Sequence, residues 1–374
     1  MKKYISRFLT IGFLCGVMIW MSAAPDKEYS EQENRYLAQF PVIRAENVMN
    51  AEFMDRFETY LTDQFPIRNA CINIKTAVLR ASGQRLISNI YLAGDNYLIK
   101  KQSAYDEKEL DAIIQSVNSM AESFEGVEVD FMLVPTAENI YEDKLPYTAE
   151  TKENETMEYI FDRISDDINI IDVRSAIAAK QDSGMYYKTD HHWTSRAAYE
   201  ALKVYAKNKK IALVKYQFYP ITDDFQGTCA SGCGIYDTSD IIEICVPENA
   251  GGTYFVNYIN EMKKTASLFD SSKLDVKDKY QVFMGGNFAQ VDIKTSANTG
   301  KKIVVIKDSY GNSFVPLLTP YYDEIVVIDP RYYTGDIYEL VDYKNINEVL
   351  FLYNTDSFIT DNSISIMAEQ QVYE

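Results

Sequence analysis

Thr189-Asp190-His191-His192-Trp193-Thr194 holds both histidines of this 374-residue chain. It stands directly before Ser195 to Asn208, where Ala198, Ala201, Leu202 and Tyr205 fall on one helical face and Thr194 occupies the natural N-cap position. Histidine is the side chain whose unperturbed proton affinity lies nearest neutrality, so general-base chemistry here has few other candidates. Far downstream, Lys307-Asp308-Ser309-Tyr310-Gly311-Asn312 follows a continuous apolar run, Ile303-Val304-Val305-Ile306. Such a run reads as a strand covered on both faces. The turn after a strand of this kind is where reactive groups collect in open α/β sheets. The two stretches read as halves of one Asp-His-Ser site. In an extended segment residues two apart point the same way, so Asp190 can hold one imidazole nitrogen of His192 and leave the other for Ser309.

Around these anchors the chain alternates. A helix is expected at Glu107 to Phe124 and a first core strand at Val127 to Val134. A helix at Glu155 to Ile164 follows, then a short strand at Ile168 to Val173. After Ile303–Ile306 come strands at Glu324 to Ile328 and Val349 to Tyr353, separated by short helical pieces near Phe314 to Leu318 and Tyr338 to Leu340. Strand, crossover, strand repeated in this way implies an α/β fold with a parallel sheet and helices on both faces. The segment 209–298 breaks the rhythm with β-like pieces at Ile241 to Val246, Thr253 to Tyr258 and Tyr280 to Met284, and reads as a β-rich insertion. Upstream, 26–94 is an N-terminal extension with helices at Asn47 to Phe65 and Ile67 to Ser82. It runs into a hairpin that turns at Gly94-Asp95-Asn96, where the catalytic domain, 95–374, begins.

Residues 1–25 read as a signal peptide or a membrane anchor. Lys2, Lys3 and Arg7 precede an apolar run from Phe8 to Ala24, and Pro25 would hinder cleavage after Ser22-Ala23-Ala24. Either reading places the remainder outside the cytoplasm. The net charge of -18 argues against nucleic acid as a partner. The 29 tyrosines could stack on sugar faces, although filling cores and strand surfaces is the commoner use. Cys229 could bridge Cys233 or Cys245 in an oxidising compartment, and unpaired thiols fit equally well. A metal on Asp190, His191 and His192 lacks a third histidine, and the sequence calls for no cofactor.

The block Thr189 to Thr194 resembles the signature of the DHHW family of exported bacterial proteins, which are similar to the SGNH-hydrolase-like domains of the alginate O-acetyltransferase machinery. Glu33 to Ala38, Asp63 to Arg68, Pro135-Thr136 with Tyr141 and Leu145-Pro146, Lys307 to Ser313, and Asp329-Pro330-Arg331-Tyr332-Tyr333 fit the same resemblance. It implies an SGNH-like sheet in permuted order, because the Asp-His block precedes the serine. It also implies that Asp190, His192 and Ser309 are acid, base and nucleophile, with His191 a neighbour. Lys307 stands where the usual motif has glycine, which leaves the oxyanion donors open. Arg331, Asn354 and Tyr310 are the candidates, alongside the Ser309 amide. The implied activity is acetyl transfer to, or removal from, a cell-surface or secreted polysaccharide, with a membrane-bound O-acyltransferase (MBOAT) as acetyl donor partner. The reading from a different class is a non-catalytic polysaccharide-binding or assembly protein.

Overall fold

The computed structural model describes residues 11–12, 15–17, 19–21, 23–30, 32–43, 52–248 and 254–369. The expected signal or anchor, 1–25, lies largely outside them, and among the described residues no helix is long and apolar enough to cross a membrane. The chain divides into two units, residues 1–87 with 231–235, and residues 88–230 with 236–374.

In the first unit, helices Glu52–Asp63 and Arg68–Ala81 flank Pro66, which cannot continue a helix. Asp63 is buried and accepts from Arg35 Nη1 at 2.9 Å and from the Ala38 amide at 2.9 Å. Arg35 and Arg68 also share Glu33, at 3.0 and 2.8 Å. The sequence blocks Glu33 to Ala38 and Asp63 to Arg68 therefore form one ion-pair network, whose work is to hold the extension together. The segment 231–235 belongs to this unit through the Thr76 hydroxyl, which donates to the Cys233 carbonyl at 2.8 Å.

The second unit is built on an eight-stranded sheet. Its strands, in chain order, are β1 Glu128–Val134, β2 Asn169–Ile170, β3 Phe255–Tyr258, β4 Lys263–Thr265, β5 Gln290–Lys294, β6 Lys302–Lys307, β7 Glu324–Ile328 and β8 Glu348–Asn354. The spatial order is β4-β3-β5-β7-β6-β8-β1-β2. Strands β7, β6, β8, β1 and β2 are parallel, with Val304 opposite both Val326 and Val349. Strands β5, β3 and β4 continue the sheet antiparallel beyond β7. The expected all-parallel sheet is thus a mixed one. The reason lies in 209–298, three strands of which extend the sheet from β7, where β5 pairs directly and covers backbone groups that an open edge would expose. Within the same stretch, Tyr216–Phe225 and Asp240–Pro247 form a separate antiparallel ribbon. Tyr280 to Met284, expected as β-like, is mostly a 3-10 turn over Lys279–Val282. The upstream hairpin pairs Ile90–Leu92 with Leu98–Lys100, and Asp95 turns it at φ 54°.

Alternation along the strands supplies the two layers. Ile303 and Val305 of β6 pack with Ala198, Ala201 and Leu202 of the helix Ser195–Asn208. Val304 and Ile306 face the other way, onto Leu110, Ile113, Ile114 and Val117 of the helix Glu107–Ser123. The Asp106 side chain caps that second helix by accepting from the Lys108 and Glu109 amides.

Beyond β1, Glu153 is fully buried and accepts from the Thr136 amide and hydroxyl, both at 2.6 Å. Burial pushes its carboxyl up to about 7 against the pull of those bonds. A carboxyl raised on folding contributes stability that is whole below its unfolded pKa and is lost as pH rises through the folded one. Stability should therefore fall between pH ~4.5 and 7. Glu153→Gln should reduce that slope by up to ~1.4 kcal/mol per pH unit. Thermal melts of wild type and variant across this window check it, and identical slopes would contradict it.

Candidate active site

The Asp-His block is a tight turn, held by a bridge between Tyr186 and Trp193 and by the Thr194 amide on the Met185 carbonyl at 2.8 Å. Asp240 secures it from outside, accepting from the Lys188 amide at 2.7 Å and the Thr189 amide at 2.8 Å. Asp190 secures it from inside, its Oδ1 accepting from the His192 amide at 3.0 Å. The two side chains are thus aligned by an Asx-type turn, in place of the extended segment expected from sequence. Thr194 sits at the N-cap of helix Ser195–Asn208, but its hydroxyl donates to the Gly184 carbonyl at 2.7 Å and leaves the helix amides uncapped.

Three side chains from the two motifs meet here. Asp190 Oδ1 lies 2.5 Å from His192 Nδ1, and His192 Nε2 lies 2.8 Å from Ser309 Oγ. A carboxylate only accepts, so Nδ1 carries the proton and Nε2 is left as an acceptor for the serine hydroxyl. Asp190 Oδ2 also accepts from the Thr228 amide at 2.7 Å and the Thr228 hydroxyl at 2.9 Å. Burial pushes the Asp190 carboxyl up, but the His192 and His191 rings and these hydrogen bonds outweigh it, holding it well below the usual carboxylate range. Asp190, His191 and His192 are close enough to hold a metal ion. With four donors on Asp190, however, its acceptor sites are filled, and an ion would have to displace one of them.

Gly227 makes this approach possible. A Cβ there would lie 2.3 Å from Asp190 Cβ and Oδ2. Gly227→Ala should therefore push Asp190 off His192, lowering activity at least 100-fold while the purified protein keeps its far-UV circular dichroism. Near-wild-type turnover would show that the turn has room to spare.

On the serine side, β6 ends at Lys307 and the chain turns into the short helix Gly311–Phe314. Asp308 is buried and accepts from the Tyr310 amide at 2.8 Å, the Asn354 amide at 2.9 Å and the Asn354 side-chain amide. Ser309 itself is only half-buried, so its hydroxyl can be reached. The Trp193 indole donates to the Tyr310 carbonyl at 3.0 Å, tying the two motifs together.

The three side-chain oxyanion candidates all have other partners. Arg331 pairs with Asp329 through Nε at 2.8 Å and Nη2 at 2.6 Å. Asn354 is occupied by Asp308 and, at 2.8 Å, by Ser357. The Tyr310 amide is on Asp308, and its hydroxyl donates to the His191 carbonyl at 2.5 Å. The Ser309 amide makes no hydrogen bond among the described residues. Lys307 is buried, with Nζ 3.4 Å from both Asp329 Oδ2 and Asn287 Oδ1. Gly311 accommodates its stem, since a Cβ there would fall 2.7 Å from Lys307 Cβ.

Sequence reasoning did not find Gly227, Thr228, Asp240 or Tyr280. Tyr280 stacks on the His192 ring at 3.7 Å with 10° between planes, and its hydroxyl donates to the Ser309 carbonyl at 3.3 Å. No motif marks these residues, because they reach the site from three separate places in the insertion, Gly227-Thr228, Asp240 and Tyr280. Cys245 is a buried, unbridged thiol, pushed up to about 12 by burial.

The profile of the DHHW protein family matches residues 74–328. The chain belongs to the DHHW family. A crystal structure of a DHHW family protein from Eubacterium siraeum superposes with a TM-score of 0.66 at 24% identity, covering 75% of this chain and 95% of that one. Bacillus cereus PatB1 carrying a sulfonyl adduct gives a TM-score of 0.63 at 20% identity, over 73% of this DHHW chain and 97% of PatB1. The O-acetyltransferase domain of Pseudomonas putida AlgJ gives 0.46 at 12% identity, over 75% and 99%, a likeness of outline too loose to argue function from. No curated protein matches the chain. At these identities the Eubacterium siraeum protein and PatB1 establish a shared fold.

Proposed function

We propose that this DHHW protein is a serine-dependent O-acetyltransferase or acetylesterase acting on a polysaccharide outside the cytoplasm. The observation that carries the reading is the hydrogen-bonded run from Asp190 through His192 to Ser309, with the last contact at 2.8 Å. Ser309 Oγ attacks the acyl carbonyl while its proton passes to His192 Nε2, and Asp190 holds the imidazole in the required tautomer. The Ser309 amide is the donor best placed for the developing oxyanion. His192 then protonates the departing group, leaving an acyl-Ser309. A sugar hydroxyl or water attacks that ester, with His192 again taking the proton.

The sulfonyl adduct on PatB1 supports the reading, since sulfonyl reagents capture activated nucleophiles. The motif resemblance to the alginate O-acetylation proteins supports the acetyl group and the polysaccharide. It also supports a permuted SGNH order and an MBOAT partner as acetyl source. The basic-flanked apolar N-terminus, 1–25, supports export or anchoring.

The test is turnover of p-nitrophenyl acetate and of an acetylated oligosaccharide by the full chain. Serine-dependent release of acetate is the expected result. A wild type as inert as Ser309→Ala would overturn the proposal and favour the polysaccharide-binding or assembly role.

A further inference from the structure

His191 is not used by the mechanism above, yet its ring lies 3.9 Å from that of His192. Its Nδ1 is 2.7 Å from Thr228 Oγ1. The Thr228 hydroxyl has one proton, and that proton goes to the Asp190 carboxylate. The hydroxyl can therefore only accept from His191, so Nδ1 carries the hydrogen and Nε2 presents a bare lone pair. The side chain is 29% exposed, and its Nε2 makes no hydrogen bond among the described residues. The surroundings keep the ring neutral: burial and the neighbouring His192 push its pKa down to about 3, against the pull of Asp190. A neutral imidazole with its one proton already committed can only accept. It cannot receive an acyl carbonyl or a carboxylate. What it can receive is a hydroxyl or an N–H.

We propose that His191 Nε2 seats a hydrogen-bond donor of the acyl acceptor, a hydroxyl adjacent to the one that becomes acylated, so that the site selects vicinal-diol acceptors. The inference rests on the acetyl-transfer reading and gives it an acceptor class. In the transfer step the attacking hydroxyl oxygen bonds to the acyl carbon while its proton moves to His192 Nε2. The bond from that carbon to Ser309 Oγ breaks, and the proton passes on to Oγ. The neighbouring hydroxyl keeps its own proton and donates it, as a hydrogen bond only, to His191. Thr228 thus orients both imidazoles from one hydroxyl: His192 indirectly, through Asp190, and His191 directly.

The experiment gives the full chain p-nitrophenyl acetate with trans-1,2-cyclohexanediol and cyclohexanol together at equal concentration, and measures the ratio of the two acetate esters. One neutral hydrogen bond corresponds to roughly a 3- to 10-fold preference for the diol. His191→Phe, which retains a ring against His192, should bring the ratio to that expected from hydroxyl count alone. His191→Gln, whose amide oxygen can reach the position of Nε2, should restore much of the preference. A general loss of activity leaves the ratio unmoved, so a purely structural role for His191 would not reproduce this pattern. If wild type turns over but shows no diol preference, or His191→Phe keeps it, the assignment of His191 falls and the esterase chemistry stands. If wild type releases no p-nitrophenol, both fall.

Discussion

Ser309→Ala and His192→Ala should each lower acetyl-ester turnover by roughly 10^4- to 10^6-fold, and the double variant should be no worse than either single one. The two groups act on one proton. Without Oγ no acyl-enzyme forms, and without the imidazole nothing receives the proton at the moment of attack. The losses consequently fail to add, whereas two merely supportive residues would lose activity independently. Stability should separate the variants. Ser309 is half-buried and gives up only one partly exposed contact. Its alanine variant should melt close to wild type. His192 is 6% exposed and supplies Asp190 with its ring N–H. Removing the ring strands part of a buried charge and opens space beside Tyr280, so His192→Ala should be destabilised by ~2–4 kcal/mol. Steady-state kinetics with thermal melts on the same preparations check both statements.

Asp190→Asn should cost roughly 10^4-fold in turnover. Both carboxylate oxygens are surrounded by donors alone: the His192 amide and Nδ1 on Oδ1, and the Thr228 amide and hydroxyl on Oδ2. An amide must place its NH2 group at one of these positions. At Oδ1 it would face the His192 amide and favour the tautomer protonated on Nε2, which cannot accept from Ser309. At Oδ2 it would face the Thr228 amide and pry the turn open. Because the native carboxyl is held far down, activity limited by Asp190 should not decline with acid until well below the usual carboxylate range. A variant within tenfold of wild type would mean that Asp190 only shapes the loop.

Much of this arrangement was legible in the sequence. Ile303 to Ile306, Glu324 to Ile328 and Val349 to Tyr353 read as strands because they are continuous apolar runs, and each lies in a parallel pairing of the sheet. The helix Ser195–Asn208 was visible in its apolar face. The meeting of Asp190, His192 and Ser309 could be anticipated from chemistry, since so few histidines exist in the chain. The antiparallel strands Phe255–Tyr258 and Gln290–Lys294 did not announce their pairing, because a short strand carries no record of its partner. Local periodicity cannot report that Gly227 must be bare to admit Asp190, as that requirement comes from a residue 37 positions away in sequence. Asn354 looked free as a candidate donor because Asp308 comes beside it only once β6 and β8 pair, whereas Asp329 stands two residues from Arg331 and occupies it locally.

If Ser309 is an activated nucleophile, an electrophile aimed at such groups should capture it covalently. The full chain treated with an arylsulfonyl fluoride and mapped by peptide mass spectrometry should carry one sulfonyl group, on Ser309, and Asp190→Asn and His192→Ala should block its formation. Unlabelled Ser309 in active wild-type protein, or labelling that persists in both variants, would contradict the account.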